Sequence, residues 1–210
     1  MSNAAREHDV AAGSGFKYSD ELGNRRSNMI ARRTILMAAG MLLVPALPAL
    51  AQSPALGKNL APAARLLGRW KGEGEGQPGQ SVVERSYEAA PGGNFITARS
   101  VSTYAPQPKN PKGEVHTDIS WISYDRAAKA VILRQFHLTE SFVNTYSAPA
   151  EGLSGDVWVF ETTAIENIPT GFKARETYTF AGADGLEEKF EVAEPGKQFD
   201  LYSLNRLRRV

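Results

Sequence analysis

Two histidines are the first candidates for chemistry in this 210-residue chain. Apart from His8, the sequence contains only His116 and His137, and they do not have the spacing of a zinc-binding pair. In a strand, His137 shares a face with Gln135 and points away from Arg134. Imidazole titrates near neutral pH, so His137 could hold a ligand oxygen or an iron. The alternative is a hydrogen-bonded histidine near a turn.

Charged residues within strand-like segments form a second candidate set. Arg134 or Arg175 would select an acidic ligand if its side chain pointed into a cavity. If the side chain pointed outward, it would be a solvated partner for a neighbouring Glu. A buried charge without a partner is costly, so an inward-facing member must pair or bind ligand. Alternation along a strand does not reveal which face is inside.

Composition removes several classes of function. The chain has no cysteine, which excludes disulfides, thiolate metal sites and thiol catalysis. The sequence lacks a Gly-x-Ser-x-Gly elbow and a Walker-type phosphate loop. The formal charge of +1 provides no field that would hold a polyanion. We therefore predict no catalytic residue, no metal site and no nucleic-acid partner.

The first quarter of the chain has the pattern of an export signal. Arg32 and Arg33 precede a short apolar stretch that ends in the A-x-A pattern at Ala51. We predict a signal peptide over 29–51, cleavage after Ala51, and a periplasmic or secreted protein without stable membrane insertion. The paired arginines resemble a twin-arginine signal, and an ordinary secretory signal is the alternative. Residues 1–28 are a polar extension, and translation could begin at Met29.

The rest of the chain has the pattern of an all-β protein. After a linker over 52–63 and a short helix, evenly spaced strands are predicted at 69–76, 81–88, 95–104, 115–124, 129–137, 142–148, 156–163, 172–180, 186–193 and 199–209. Closing this antiparallel meander removes its two edges and leaves room for a ligand. We therefore predict a single up-and-down β-barrel of about ten strands over 64–210, with a two-sheet sandwich as the alternative.

Side-chain alternation predicts, for each of three strands, which residues lie on the same face. A period of two along a strand indicates that one face is buried. The three predicted faces are Phe172, Ala174, Glu176, Tyr178 and Phe180; Leu186, Glu188, Phe190 and Val192; and Phe199, Leu201, Ser203, Asn205 and Leu207.

One segment resembles a known family. Residues 66–76 read Leu-Leu-Gly-Arg-Trp-Lys-Gly-Glu-Gly-Glu-Gly, similar to the opening strand of the nitrobindin-like domain. That domain is a ten-stranded calycin barrel related to the fatty-acid-binding proteins. Trp70 is a large plug for one barrel end, and alternate glycines let the strand bend. The closing segment 204–210 is also similar, so the resemblance spans about 64–210 and suggests an exported bacterial branch.

The resemblance implies haem as a cofactor to consider. Nitrobindins bind haem through a histidine on the last strand, and the corresponding neighbourhood here contains Tyr202, with no histidine after His137. Tyrosine can also ligate haem iron. The alternative function is therefore a haem protein with peroxynitrite or nitric-oxide chemistry, using His137 or Tyr202.

Our leading prediction is a barrel that binds a small apolar molecule and needs no cofactor. The five predicted ligand-binding residues are Trp70, Arg134, His137, Tyr178 and Tyr202. A further alternative is a non-catalytic module with a filled barrel that binds another envelope protein through an apolar patch.

Overall fold

A closed antiparallel barrel of ten strands forms the described part of the chain. The computed structural model describes residues 54–210. The predicted extension at 1–28, the signal peptide at 29–51 and the cleavage site after Ala51 lie outside the described residues. Within 54–210, no helix is both long and apolar enough to cross a membrane. The predicted all-β, ten-stranded up-and-down barrel is confirmed.

Each strand pairs with its neighbours in sequence, and the last strand closes the barrel against the first. The bounds are 3-10 helix η1 (Ala61–Leu66), β1 (Gly68–Gly76), β2 (Ser81–Ala89), β3 (Phe95–Tyr104), β4 (Glu114–Asp125), β5 (Ala130–His137), β6 (Phe142–Pro149), 3-10 helix η2 (Ala150–Ser154), β7 (Val157–Glu166), β8 (Lys173–Ala181), β9 (Gly185–Ala193) and β10 (Asp200–Arg209).

The closing seam between β1 and β10 depends on a glycine. Gly72 is the register partner of Leu207 on β10. A Cβ atom at Gly72 would overlap the backbone carbonyl of Arg206. The glycine therefore allows the two strands to approach closely at the point where the barrel closes.

One end of the barrel is filled by apolar side chains under η1. Trp70 is 1% exposed, and its indole Nε1 donates a hydrogen bond of 2.7 Å to the Leu66 carbonyl. Arg209, at the end of β10, lies over the Trp70 ring and donates to the backbone carbonyls of Arg65 and Leu67. Helix η1 is thus fastened to both the first and the last strand, and this end is closed.

The inward faces follow the predicted alternation on β8 and β9 and depart from it on β10. The pairing of β10 with β9 shifts register between Leu201 and Ser203. Leu201 is 48% exposed, whereas Tyr202 and Ser203 both line the barrel interior. The prediction that Leu201 shares the inner face with Asn205 was therefore wrong, because a bulge places two consecutive residues inside.

Candidate functional site

A cavity of about 380 Å³ occupies the half of the barrel opposite η1. Its walls come from the beginnings of β4, β6, β8 and β10 and the ends of β3, β5, β7 and β9. Glu140, Pro169 and Lys173 line the cavity and are also exposed to solvent. The cavity therefore opens at the barrel end that has no helical plug.

The outer part of the cavity is lined mainly by apolar and aromatic side chains. Phe190 on β9 and Tyr202 on β10 meet edge to face, with ring centroids 5.5 Å apart. The other large contributors near the opening are Tyr104, Phe142, Ile165, Ile168 and Phe172. This part of the wall can hold an apolar group without requiring polar partners.

A buried ion pair lies on the deeper part of the wall. The guanidinium Nε of Arg85 on β2 is 3.1 Å from Glu188 Oε2 on β9, and the two side chains are only 9% and 5% exposed. Glu188 also accepts hydrogen bonds from the Tyr87 hydroxyl at 3.0 Å and the Asn205 amide at 3.3 Å. The Arg85 guanidinium is therefore already paired with the buried Glu188 carboxylate.

A second buried carboxyl group, that of Glu176, lies on β8 with Tyr178. Burial raises the pKa of Glu176 well above its usual range, and the charge of Glu188 raises it further. Burial also raises the pKa of Tyr178 well above its usual range. The raised pKa favours the neutral carboxyl of Glu176, a form that can both donate and accept a hydrogen bond.

His137 lies in a polar group on the opposite wall. Its Nδ1 is 3.0 Å from Asp118 Oδ1, and its Nε2 is 3.3 Å from the amide nitrogen of Asn144. The imidazole stacks on Phe142, with ring centroids 3.9 Å apart. Asn144 Nδ2 continues the network by donating to the Tyr146 hydroxyl at 2.8 Å. The His137 ring is thus fixed on several sides.

The structure brings three of the five predicted ligand-binding residues into the cavity. His137, Tyr178 and Tyr202 line it, from β5, β8 and β10 respectively. Trp70 packs under η1 and is not among the lining residues, and Arg134 lies on the outer face, where it bonds Ser123 Oγ at 3.4 Å. The ligand-binding roles of all five stay predictions.

Arg85, which lies inside the barrel, was not predicted from the sequence as a site residue. Arg175, considered as an inward cation, instead binds Glu191 at 2.9 Å and Glu161 at 3.5 Å along the barrel wall. A signal for Arg85 was available, because it lies midway between Val83 and Tyr87 in a strand of alternating burial. Sequence alternation did not reveal its partner Glu188, since β2 and β9 are far apart in the chain.

Comparisons with known proteins establish the class of fold. No family model matches this sequence, and no curated protein matches it significantly. The closed ten-stranded meander fits a calycin-like barrel. Among solved structures, the crystal structure of Rv2717c from M. tuberculosis is similar, with a TM-score of 0.55 and 21% identity over 74% of this chain and 99% of that chain. This likeness concerns the fold alone.

Proposed function

We propose that this protein binds a small, mainly apolar molecule with one polar end inside the barrel. The observation that carries the proposal is a cavity of about 380 Å³ whose wall is mainly apolar near the opening and carries buried polar side chains, including Glu176 and Asn144, farther in. Small-molecule sites are typically concave and mostly apolar, with a few polar groups that fix the orientation of the ligand.

The two parts of the wall suggest how such a molecule would lie. The apolar part would rest among the aromatic side chains near the opening, including Phe172, Phe190 and Tyr202. The polar end would reach toward Glu176 and Asn144, which are 8% and 1% exposed. A cavity of this kind favours ligand binding over the interaction module, whose barrel would be filled.

Export is part of the proposal and rests on the predicted signal peptide at 29–51. In that setting the barrel would carry or sequester its ligand outside the cytoplasm. Mass spectrometry of an organic extract of protein purified from its native envelope would identify the bound molecule.

A fluorescence titration tests the binding site directly. The probe is N-phenyl-1-naphthylamine, a neutral apolar dye with one N–H donor. We expect saturable fluorescence enhancement that the variant Ser102→Trp abolishes, because Ser102 lines the cavity. The matched control is Thr103→Trp on the exposed face of the same strand. Equal binding by the two variants would contradict a site inside the barrel.

Haem is the second candidate, because Tyr202 and His137 both line the cavity. The two side chains fit the role of axial haem ligand poorly. Burial raises the pKa of Tyr202, which opposes the phenolate form that binds iron, and one face of the His137 ring is stacked on Phe142. An absorption spectrum after haem addition tests this candidate: a stoichiometric Soret band lost in Tyr202→Phe or His137→Ala would favour haem over the apolar ligand.

A further inference from the structure

One imidazole and two carboxylates meet on the cavity wall near the opening. The ligating atoms of Asp118, His137 and Glu140 all lie within 4.8 Å of one another. Asp118 and His137 are register partners on β4 and β5, and Glu140 lies in the turn that follows β5. We propose that these three residues bind one divalent transition-metal ion.

Asp118 and His137 approach each other closely without forming an aligned hydrogen bond. Asp118 Oδ1 is 3.0 Å from His137 Nδ1, but the direction of the ring N–H misses it. Asp118 Oδ1 is buried and has no hydrogen-bond partner within 54–210. A simple Asp–His hydrogen bond would align these two atoms, so their misalignment favours a cation that both can approach.

The orientation of the Asn144 amide determines whether His137 Nδ1 has a free lone pair. The side chain is 1% exposed, and its Oδ1 has no partner among the described residues while its Nδ2 faces His137 Nε2. Turning the amide over would let Oδ1 accept from His137 Nε2–H, and from the Tyr146 hydroxyl if that hydroxyl turns its proton away from Gln135 Oε1. That tautomer leaves His137 Nδ1 unprotonated on the side of Asp118, as a metal ligand requires.

Glu140 is held in place by the other histidine of the barrel. His116 Nδ1 contacts Glu140 Oε1, and His116 Nε2 is 3.0 Å from Glu114 Oε1 on its other side. Partners of this kind orient a metal-ligating carboxylate and fix its geometry. His116 is therefore a positioning residue for the site, acting through Glu140.

The donor set defines the class of ion. One imidazole nitrogen and two carboxylate oxygens suit Zn²⁺, Co²⁺ or Mn²⁺, and the chain offers no thiolate that would favour softer ions. Three protein ligands leave at least one coordination position open. Since all three residues line the cavity, that position faces the space where the proposed ligand would lie.

The test is titration of the metal-free full chain with Co²⁺, followed by its visible absorption, and with Zn²⁺ by calorimetry. We expect one ion per chain. Asp118→Asn and Glu140→Gln should abolish stoichiometric binding, whereas His116→Gln should weaken it about 10–100-fold. The matched control is Glu166→Gln, an exposed carboxylate at the end of β7 and the same end of the barrel.

The outcomes separate the metal site from the proposed ligand site. Circular dichroism of each variant would show that the barrel is intact, and dye binding by the metal-free chain tests the cavity independently. Sub-stoichiometric binding of both ions, or equal affinity in Asp118→Asn, Glu140→Gln and the control, would overturn the metal site.

Discussion

Replacing the buried cation of the Arg85–Glu188 pair should destabilise the barrel strongly. Arg85→Met keeps a long apolar stem on β2 and removes the guanidinium that lies 3.1 Å from Glu188. The Tyr87 and Asn205 hydrogen bonds to Glu188 remain. The variant therefore leaves a carboxylate that is 5% exposed without an opposite charge.

The size of the effect follows from that burial. Removing one partner of a buried ion pair costs about 3–5 kcal/mol, because the remaining charge stays desolvated. For a domain of this length, each kcal/mol shifts the Tm by about 2–4 °C. We therefore expect the Tm of Arg85→Met to fall by about 6–20 °C.

Urea denaturation and thermal melts of the full chain at pH 7 measure this effect. The matched control is Arg175→Met, since Arg175 pairs with Glu191 and Glu161 in a more exposed position. The control should lose about 0–1 kcal/mol. The double variant Arg85→Met/Glu188→Gln should recover part of the loss, because it removes the orphaned charge. A loss in Arg85→Met no larger than in the control would refute the reasoning.

Three further perturbations test other parts of the structure. Burial raises the pKa of Glu176, so the folded state holds a proton that the unfolded state releases above about pH 4.5, and the contribution of this group to stability should fall as pH rises from there. Carboxyl groups with lowered pKa values, such as Glu191, act in the opposite direction. In urea melts from pH 4 to 8 the wild type should therefore lose stability relative to Glu176→Gln as pH rises, and parallel curves would contradict this. Gly72→Ala should cost about 1–3 kcal/mol or more by overlap with the β10 backbone, whereas Gly152→Ala, where a Cβ meets nothing within 4 Å, should not, as Tm values will show. Trp70→Phe should cost at least about 1–3 kcal/mol in denaturant melts, since it leaves the Leu66 carbonyl without its donor, and an unchanged midpoint would exclude that bond as a stabilising contact.

Local sequence patterns predicted the barrel well because its topology is local. Every strand pairing except that of β1 with β10 joins strands that are consecutive in sequence. Alternation and turn residues therefore carry most of the information about the strand order. The predicted 81–88 ends one residue before β2 does, and the predicted 172–180 is shifted by one residue from β8. The bulge after Leu201 was not predictable in this way, since nothing in the alternation of 199–209 marks the register shift.

The site was less predictable, because its contacts join distant strands. His137 was identified from its residue type, and alternation put it on one face with Gln135, but only the structure shows that this face lines the cavity. Its neighbour Asp118 is 19 positions earlier, and only the pairing of β4 with β5 brings them together. The spacing of Asp118 and His137 in the sequence therefore does not reveal that they belong to one cluster, because only strand pairing brings them together.

The seam between β1 and β10 is the last strand pairing that can form during synthesis. Nine of the ten strand pairings join consecutive strands and can form as the chain is synthesised, whereas β1 must wait for β10. Until residues 200–209 emerge, β1 and β9 are both unpaired edges and the contacts of Arg209 with η1 are absent. Residues 200–209 thus complete both the barrel wall and the fastening of η1, and the sheet stays open until they emerge.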